Sequence, residues 1–141
     1  MKDLFNNINL LRVLSPSTGV ADNTAQVGQI IDRQGYNSLT YAIVTGTLAD
    51  VDATFAVTID ESDASNMSGS NAVAAADLIG TTALASFVFS DDDKCFKLGY
   101  KGNKRYTRIT ITPSANASAA PLACIAILGE PDFAPTVNPP A

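Results

Sequence analysis

Along most of the chain, apolar and polar positions alternate or cluster in short runs between turn-forming residues, the pattern of half-buried antiparallel strands. In residues 54–60 the phase is explicit. Phe55, Val57 and Ile59 share one face and Thr54, Ala56, Thr58 and Asp60 the other, so the first set is expected to point inward. Segments 25–32 and 38–47 read as strands joined by the turn chemistry of Gln34-Gly35-Tyr36-Asn37. Residues 85–90 predict a strand with Phe87 and Phe89 on one face, and the aspartates of 91–93 a turn. Segment 95–100 alternates cleanly, 101–104 is a tight-turn candidate, and 105–112 alternates again until Pro113, which together predict the clearest β-hairpin in the chain. Segment 122–128 is apolar on both sides, as expected of a central strand or a strand at a partner interface.

Three stretches break this pattern. In the opening segment, Leu4, Ile8 and Leu11 fit a helical stripe while residues 10–14 suit a strand, and an extended arm ending in a strand is the expectation. Residues 61–76, rich in Ser, Asp, Asn, Gly and Ala, predict a long exposed loop. After Gly129, the prolines at 131, 135, 139 and 140 should prevent the chain from continuing a sheet. The whole predicts an all-β fold: a single antiparallel β-sandwich, jelly-roll-like, with an N-terminal arm and first strand at 1–14, the sandwich at 15–130 and a Pro-rich C-terminal tail at 131–141.

Composition narrows what such a sandwich does. The 141 residues suffice for one core without metals or staples. Only 16% are charged, below the roughly 25% of ordinary soluble domains, so Ser, Thr, Asn, Gly and Ala must cover much of the surface. A net charge of -5 argues against a nucleic-acid footprint, which needs clustered Lys and Arg. The local basic run from Lys94 to Arg108 would be split by strand alternation over two faces and a turn, and reads as a solvated edge. No apolar run approaches the length of a membrane span. The first residues lack a basic region followed by a long apolar core, so no secretory signal is expected and synthesis in a cytoplasm is.

Candidate chemistry is sparse. The chain contains no histidine, the usual acid–base group near neutral pH. Carboxylates cluster at Asp50/Asp52, at Asp60/Glu61/Asp63 and at 91–93. A glycosidase would need two of them across a cleft lined by aromatics, yet there is no Trp, and Tyr and Phe fall at core-like positions. The aspartates of 91–93 lack the spacing and central Gly of a calcium loop and read as a solvated turn. Cys95 and Cys124 lie in strand-like stretches with no further cysteines for a zinc cluster, so buried thiols are expected; a disulfide between them depends on geometry. The expectation is therefore no enzyme, no catalytic residues, no cofactor and no metal.

Residues 32–40 (DRQGYNSLT), 45–55 (TGTLADVDATF), 97–108 (KLGYKGNKRYTR) and 126–131 (AILGEP) resemble a group of small proteins encoded by tailed bacteriophages and prophages, commonly among the head genes near the major capsid protein. The similarity covers most of the chain, from about residue 10 to 133. It implies a virion structural protein, made in the bacterial host cytoplasm and carried in the phage head. Within that class the expectation is a capsid decoration, or cement, protein. Such a protein binds the outer shell across subunit boundaries as a homo-oligomer, trimer or dimer, with the major capsid protein as partner and neither nucleic acid nor membrane. An arm with Phe5, Ile8, Leu10 and Leu11 and a tail with Pro131 and Phe133 would supply partner-binding anchors. Ordinary core packing is the alternative for Leu10, Leu11 and Phe133. Two other functions remain: a head–tail joining or tail component, and a carbohydrate-binding module using the 61–76 loop, although that loop has neither Trp nor Tyr.

Overall fold

The computed structural model describes residues 3–16 and 19–137. Within them the strands are β1 (Ile8–Leu14), β2 (Gln26–Val27), β3 (Ile31–Asp32), β4 (Tyr36–Thr45), β5 (Thr54–Ser62), β6 (Asn71–Ala72), β7 (Leu78–Ile79), β8 (Phe87–Val88), β9 (Cys95–Tyr100), β10 (Tyr106–Ser114) and β11 (Leu122–Pro131). They build an antiparallel sandwich. A five-stranded sheet has the order β1-β11-β4-β9-β7, and a second sheet the order β2-β10-β5-β6, with β3 also beside β10 and β8 beside β5. A single helical turn, α1 (Thr82–Ala85), is capped by the Thr81 hydroxyl, which accepts from the Leu84 N–H at 3.1 Å.

The winding is that of a jelly roll. The chain passes from one sheet to the other at almost every connection, so that β11 returns between β1 and β4, and β10 returns between β2/β3 and β5. The inner faces follow the alternation of the sequence. Phe55, Val57 and Ile59 of β5 are each at most 2% exposed, and Leu39, Tyr41 and Ile43 of β4 meet them from the other sheet. Phe87 stacks on Phe55 at 4.9 Å and on Phe96 at 5.3 Å, which ties β8, β5 and β9 across the interior. The Tyr41 and Thr107 hydroxyls, both buried, share a hydrogen bond of 2.7 Å that also joins the sheets.

The expected hairpin at 101–104 is instead a corner of the sandwich. β9 belongs to the five-stranded sheet and β10 to the other. Tyr100, 1% exposed, ends β9, and the following loop closes over its ring. The Lys104 N–H donates to the Tyr100 hydroxyl at 3.0 Å, and a Cβ on Gly102 would lie 2.5 Å from that oxygen, so only glycine fits. The chain leaves this loop on the far side of the core and pairs with β5.

Two prolines are tolerated where the sequence suggested a stop. β10 runs through Pro113 to Ser114, because β2 borders it only at Thr110 and Ile111 and leaves the proline's other side without a neighbouring strand. β11 runs to Pro131, opposite Tyr36 and beyond the last pairing of β1 at Gly129. The 61–76 stretch is less exposed than its composition suggests: β5 extends to Ser62, Met67 is buried, and β6 pairs with β5. Phe89 does not join Phe87 inside, since β8 has only two residues before the chain turns. Pro139 and Pro140 fall outside the described residues.

Candidate interaction surface

Both described ends of the chain converge on one margin of the sandwich. Asp3 winds the residues after it into a short 3-10 turn (Phe5–Asn7). Its carboxylate accepts from the Asn6 N–H at 3.1 Å and from Asn6 Nδ2 at 2.6 Å, and its carbonyl accepts from Asn7 Nδ2 at 2.7 Å. No apolar contact is needed to form such a turn, and Leu4 and Phe5 remain 69% and 67% exposed. After β11 the chain is held by Asn37, whose Nδ2 donates to the Glu130 carbonyl and the Asp132 carboxylate, and by the Asp132 N–H to the Gly35 carbonyl. Thr136 then returns to the start of the chain. Its N–H donates to the Asn6 carbonyl at 3.0 Å and its hydroxyl to the Ile8 carbonyl at 2.6 Å.

This return also shields an edge. β1 borders the five-stranded sheet, and an unpaired edge invites another strand. Thr136 occupies the Ile8 carbonyl at one end of β1, and the Gln29 N–H occupies the Val13 carbonyl at the other, at 3.1 Å.

The six anticipated anchors lie in different settings. Phe5 projects from the 3-10 turn and Phe133, 88% exposed, from the tail. Ile8 opens β1, half-buried, and lines a 390 Å³ groove with Asp3, Leu4, Ser38 and Gly129. Leu10 is 44% exposed and faces outward, whereas Leu11 packs against the core. Pro131, half-buried, ends β11. Strand alternation therefore brings Ile8 and Leu10 to the outward side of the sheet, while Leu11 serves the subunit itself.

The most densely bonded polar cluster is at the Tyr100 corner. The Arg33 guanidinium lies 4.7 Å from the Tyr100 ring centre, and its Nε and Nη2 donate to the carbonyls of Lys104 and Gly102 at 3.0 Å. The Tyr100 hydroxyl donates to Glu61 Oε2. Burial, and then this bond to a carboxylate, push the hydroxyl up to about 12. Lys104 pairs with Asp63, and Arg105 makes a two-pronged contact with Asp32 at 2.8 and 2.7 Å. Each charge is answered within the chain, which makes this a corner lock. The sequence held little local signal for it because, apart from the Lys104 N–H to the Tyr100 hydroxyl, its hydrogen bonds join residues 39 to 73 positions apart.

Three further aspartates hold loops. Asp50 accepts from the Asp52 and Ala117 N–H groups, Asp92 from the Leu48 N–H, and Asp91 from the Val88 N–H and Lys94 Nζ. Among the described residues, no group of three or more Cys, Asp or Glu side chains is placed to hold a metal ion. Both cysteines are free. Cys124 is buried, and burial pushes its thiol up to about 12. Cys95 departs from expectation and is exposed: β9 presents it outward beside Val44 of β4.

No protein-family model and no curated protein matches this chain. Solved structures do share its fold. The SPBc2 prophage-derived protein YomS is 9% identical with a TM-score of 0.52, over 88% of this chain and 94% of YomS. The PBSX exported protein XepA is 15% identical with a TM-score of 0.57 over 100% of this chain, but this chain spans only 43% of XepA. At these identities the likeness is one of fold.

Proposed function

We propose that this chain is a structural component of a tailed-phage particle, and within it a capsid decoration protein that binds the outer surface of the head and stabilises the shell. The observation that carries the reading is the convergence of both chain ends on one margin of a densely packed sandwich, where Leu4, Phe5, Phe133 and Val137 stand 67% to 88% exposed. Large apolar groups in that state serve as anchors for a neighbour, since hot spots form where such groups fill a partner's pocket. The fold shared with a prophage-derived protein is in keeping with a phage origin. The partner is the major capsid protein, and the bound form is a homo-oligomer. Contacts spanning two capsomers make the second engagement intramolecular, which strengthens the hold on a shell under internal pressure. The protein acts by adding interface and takes no part in bond-making chemistry.

Cryo-electron microscopy of purified particles tests the station. Density for this sandwich at the capsid symmetry axes is the expected result; density at the portal vertex or tail alone would reassign it to head–tail joining or the tail. A Phe5→Ser/Phe133→Ser variant should bind empty capsids at least ten-fold more weakly while keeping its circular dichroism spectrum. Unchanged binding would remove the chain ends from the mechanism.

A further inference from the structure

The outward side of the five-stranded sheet is apolar, although nothing among the described residues covers it. Strand register sets Leu10, Ile127, Thr40 and Gly99 side by side across β1, β11, β4 and β9, with Ile79 of β7 next in line. The adjacent row holds Arg12, Ile125, Ala42 and Lys97, and the next Ala123, Val44 and Cys95. Leu10, Val44, Ile79 and Ile125 are 39% to 60% exposed. Gly99 contributes to the shape: a Cβ there would lie 2.9 Å from the Ile79 Cβ, and its absence lets β7 lie close. Beside it, Ile79, Leu84, Phe96 and Lys97 line an open groove of 410 Å³.

The charges on this face are of one sign. Arg12 and Lys97 occupy opposite ends of a single row, three strand spacings or roughly 14 Å apart. No carboxylate belongs to these rows. In a chain of net charge -5, Lys94, Lys104 and Arg105 each have an aspartate partner. Arg12 bonds only the Ser15 hydroxyl, and Lys97 has no ion pair among the described residues. Two copies meeting through this face would oppose cation to cation with no acid between them, which disfavours a self-contact. We propose that the outer face of the five-stranded sheet is a docking surface for a different protein, whose matching patch is apolar and carries carboxylates opposite Arg12 and Lys97. The face is continuous with the chain-end margin, because the row next to that of Leu10 holds Ile8, Gly129 and Ser38, which also line the groove beside Leu4. Choosing the phage shell as the partner rests on the proposed function; the face and its charge pattern do not.

Cys95 is a built-in reporter, since it sits on the face with an exposed thiol while Cys124 is buried. Purified protein is added to particles lacking it, and labelling by N-ethylmaleimide is followed by mass spectrometry. Cys95 should react at least ten-fold more slowly on the particle than in free protein, and Arg12→Glu/Lys97→Glu should lower occupancy at least ten-fold with an unchanged fold. Bound protein whose Cys95 reacts at the free rate, or a charge-reversed variant that binds like the wild type, would overturn the proposal. So would protection that develops in free protein as its concentration rises, which would identify a second copy as the occupant. Failure of the wild type to bind particles would refute the capsid assignment alone. Benzoylphenylalanine at position 125 in phage-producing cells then decides the face. An adduct to another protein at an Asp- or Glu-containing peptide, weakened by Lys97→Glu, supports it; no adduct, or adducts to copies of this chain only, overturns it.

Discussion

The two outer faces of the sandwich differ although their inner faces are alike. On the second sheet, Thr54, Ala56 and Thr58 of β5 lie beside Ser114, Thr112 and Thr110 of β10, and Asp60 lies opposite Arg108. On the five-stranded sheet the equivalent outward positions are Val44, Ala42, Ile125, Ile127 and Leu10. Threonine keeps a strand's β-propensity without asking for burial, so the middle of the second sheet meets the demands of the fold and no more, and its exposed apolar groups stand at its borders, Val27 beside Thr110 and Val88 beside Thr54. Leu, Ile and Val facing outward over several strands exceed those demands. The pleat determines which residues enter the core; it does not determine what faces out, and an apolar exterior therefore points to a neighbour.

The largest effect should separate the two sides of one strand. Ile43 is 0% exposed and Val44 is 47% exposed, adjacent on β4. Ile43→Ala should cost about 2–5 kcal/mol in urea denaturation, through lost transfer energy and a cavity. Val44→Ala and Ile125→Thr should each change stability by about 1 kcal/mol or less, since surface changes away from special contacts do little. Equal losses at 43 and 44 would mean that the fold depends on the outer face, and the argument for an external partner would fail.

A smaller effect is expected from the hydroxyl pair inside the sandwich. Tyr41→Phe leaves the Thr107 hydroxyl buried without its partner and should cost about 1–3 kcal/mol. Tyr41→Phe/Thr107→Val should recover part of that loss, because it removes both polar groups together. A double variant worse than the sum of the singles would show that the pair is held by something other than this bond.

Local alternation made the strands and their inward faces legible, as at Phe55, Val57 and Ile59, because the pleat forces side chains to opposite sides. Pairing was not legible. Segments 95–100 and 105–112 look like two arms of a hairpin, and what separates them into different sheets is the loop's closure over the buried Tyr100 ring, a contact between the corner and the whole core. Pro113 and Pro131 depart from the expected strand ends for a related reason. A proline stops a strand only where its nitrogen faces a neighbour, and neighbour identity is set by topology. Phe5, Leu10 and Phe133 are exposed, but the sequence could not separate them from Leu11, whose inward side depends on the register of β1 against β11. Of the outer apolar face, the sequence shows the one strand at 122–128 that is apolar on both sides; the rest is not legible because its rows join residues from β1, β4, β9 and β11 that are distant in the chain.

The smallest effect concerns how the cations are answered. On the second sheet, Arg105 holds the Asp32 carboxyl below its ordinary value, chiefly by direct hydrogen bonding. A carboxylate whose folded pKa is depressed adds stability that is present above its unfolded value and is lost as pH falls through the folded one. Asp32→Asn should therefore flatten the fall in melting temperature below about pH 4, where free aspartate begins to protonate. The difference between wild type and variant should shrink in 1 M salt, because both side chains are more than 40% exposed and screened. Removing Arg12 or Lys97 as alanine should leave the same acid limb unchanged, since neither has a carboxylate partner among the described residues. An acid limb that flattens equally in Lys97→Ala would mean that this lysine already has a carboxylate within the chain, and the contrast between an internally paired face and a face awaiting its acids would be lost.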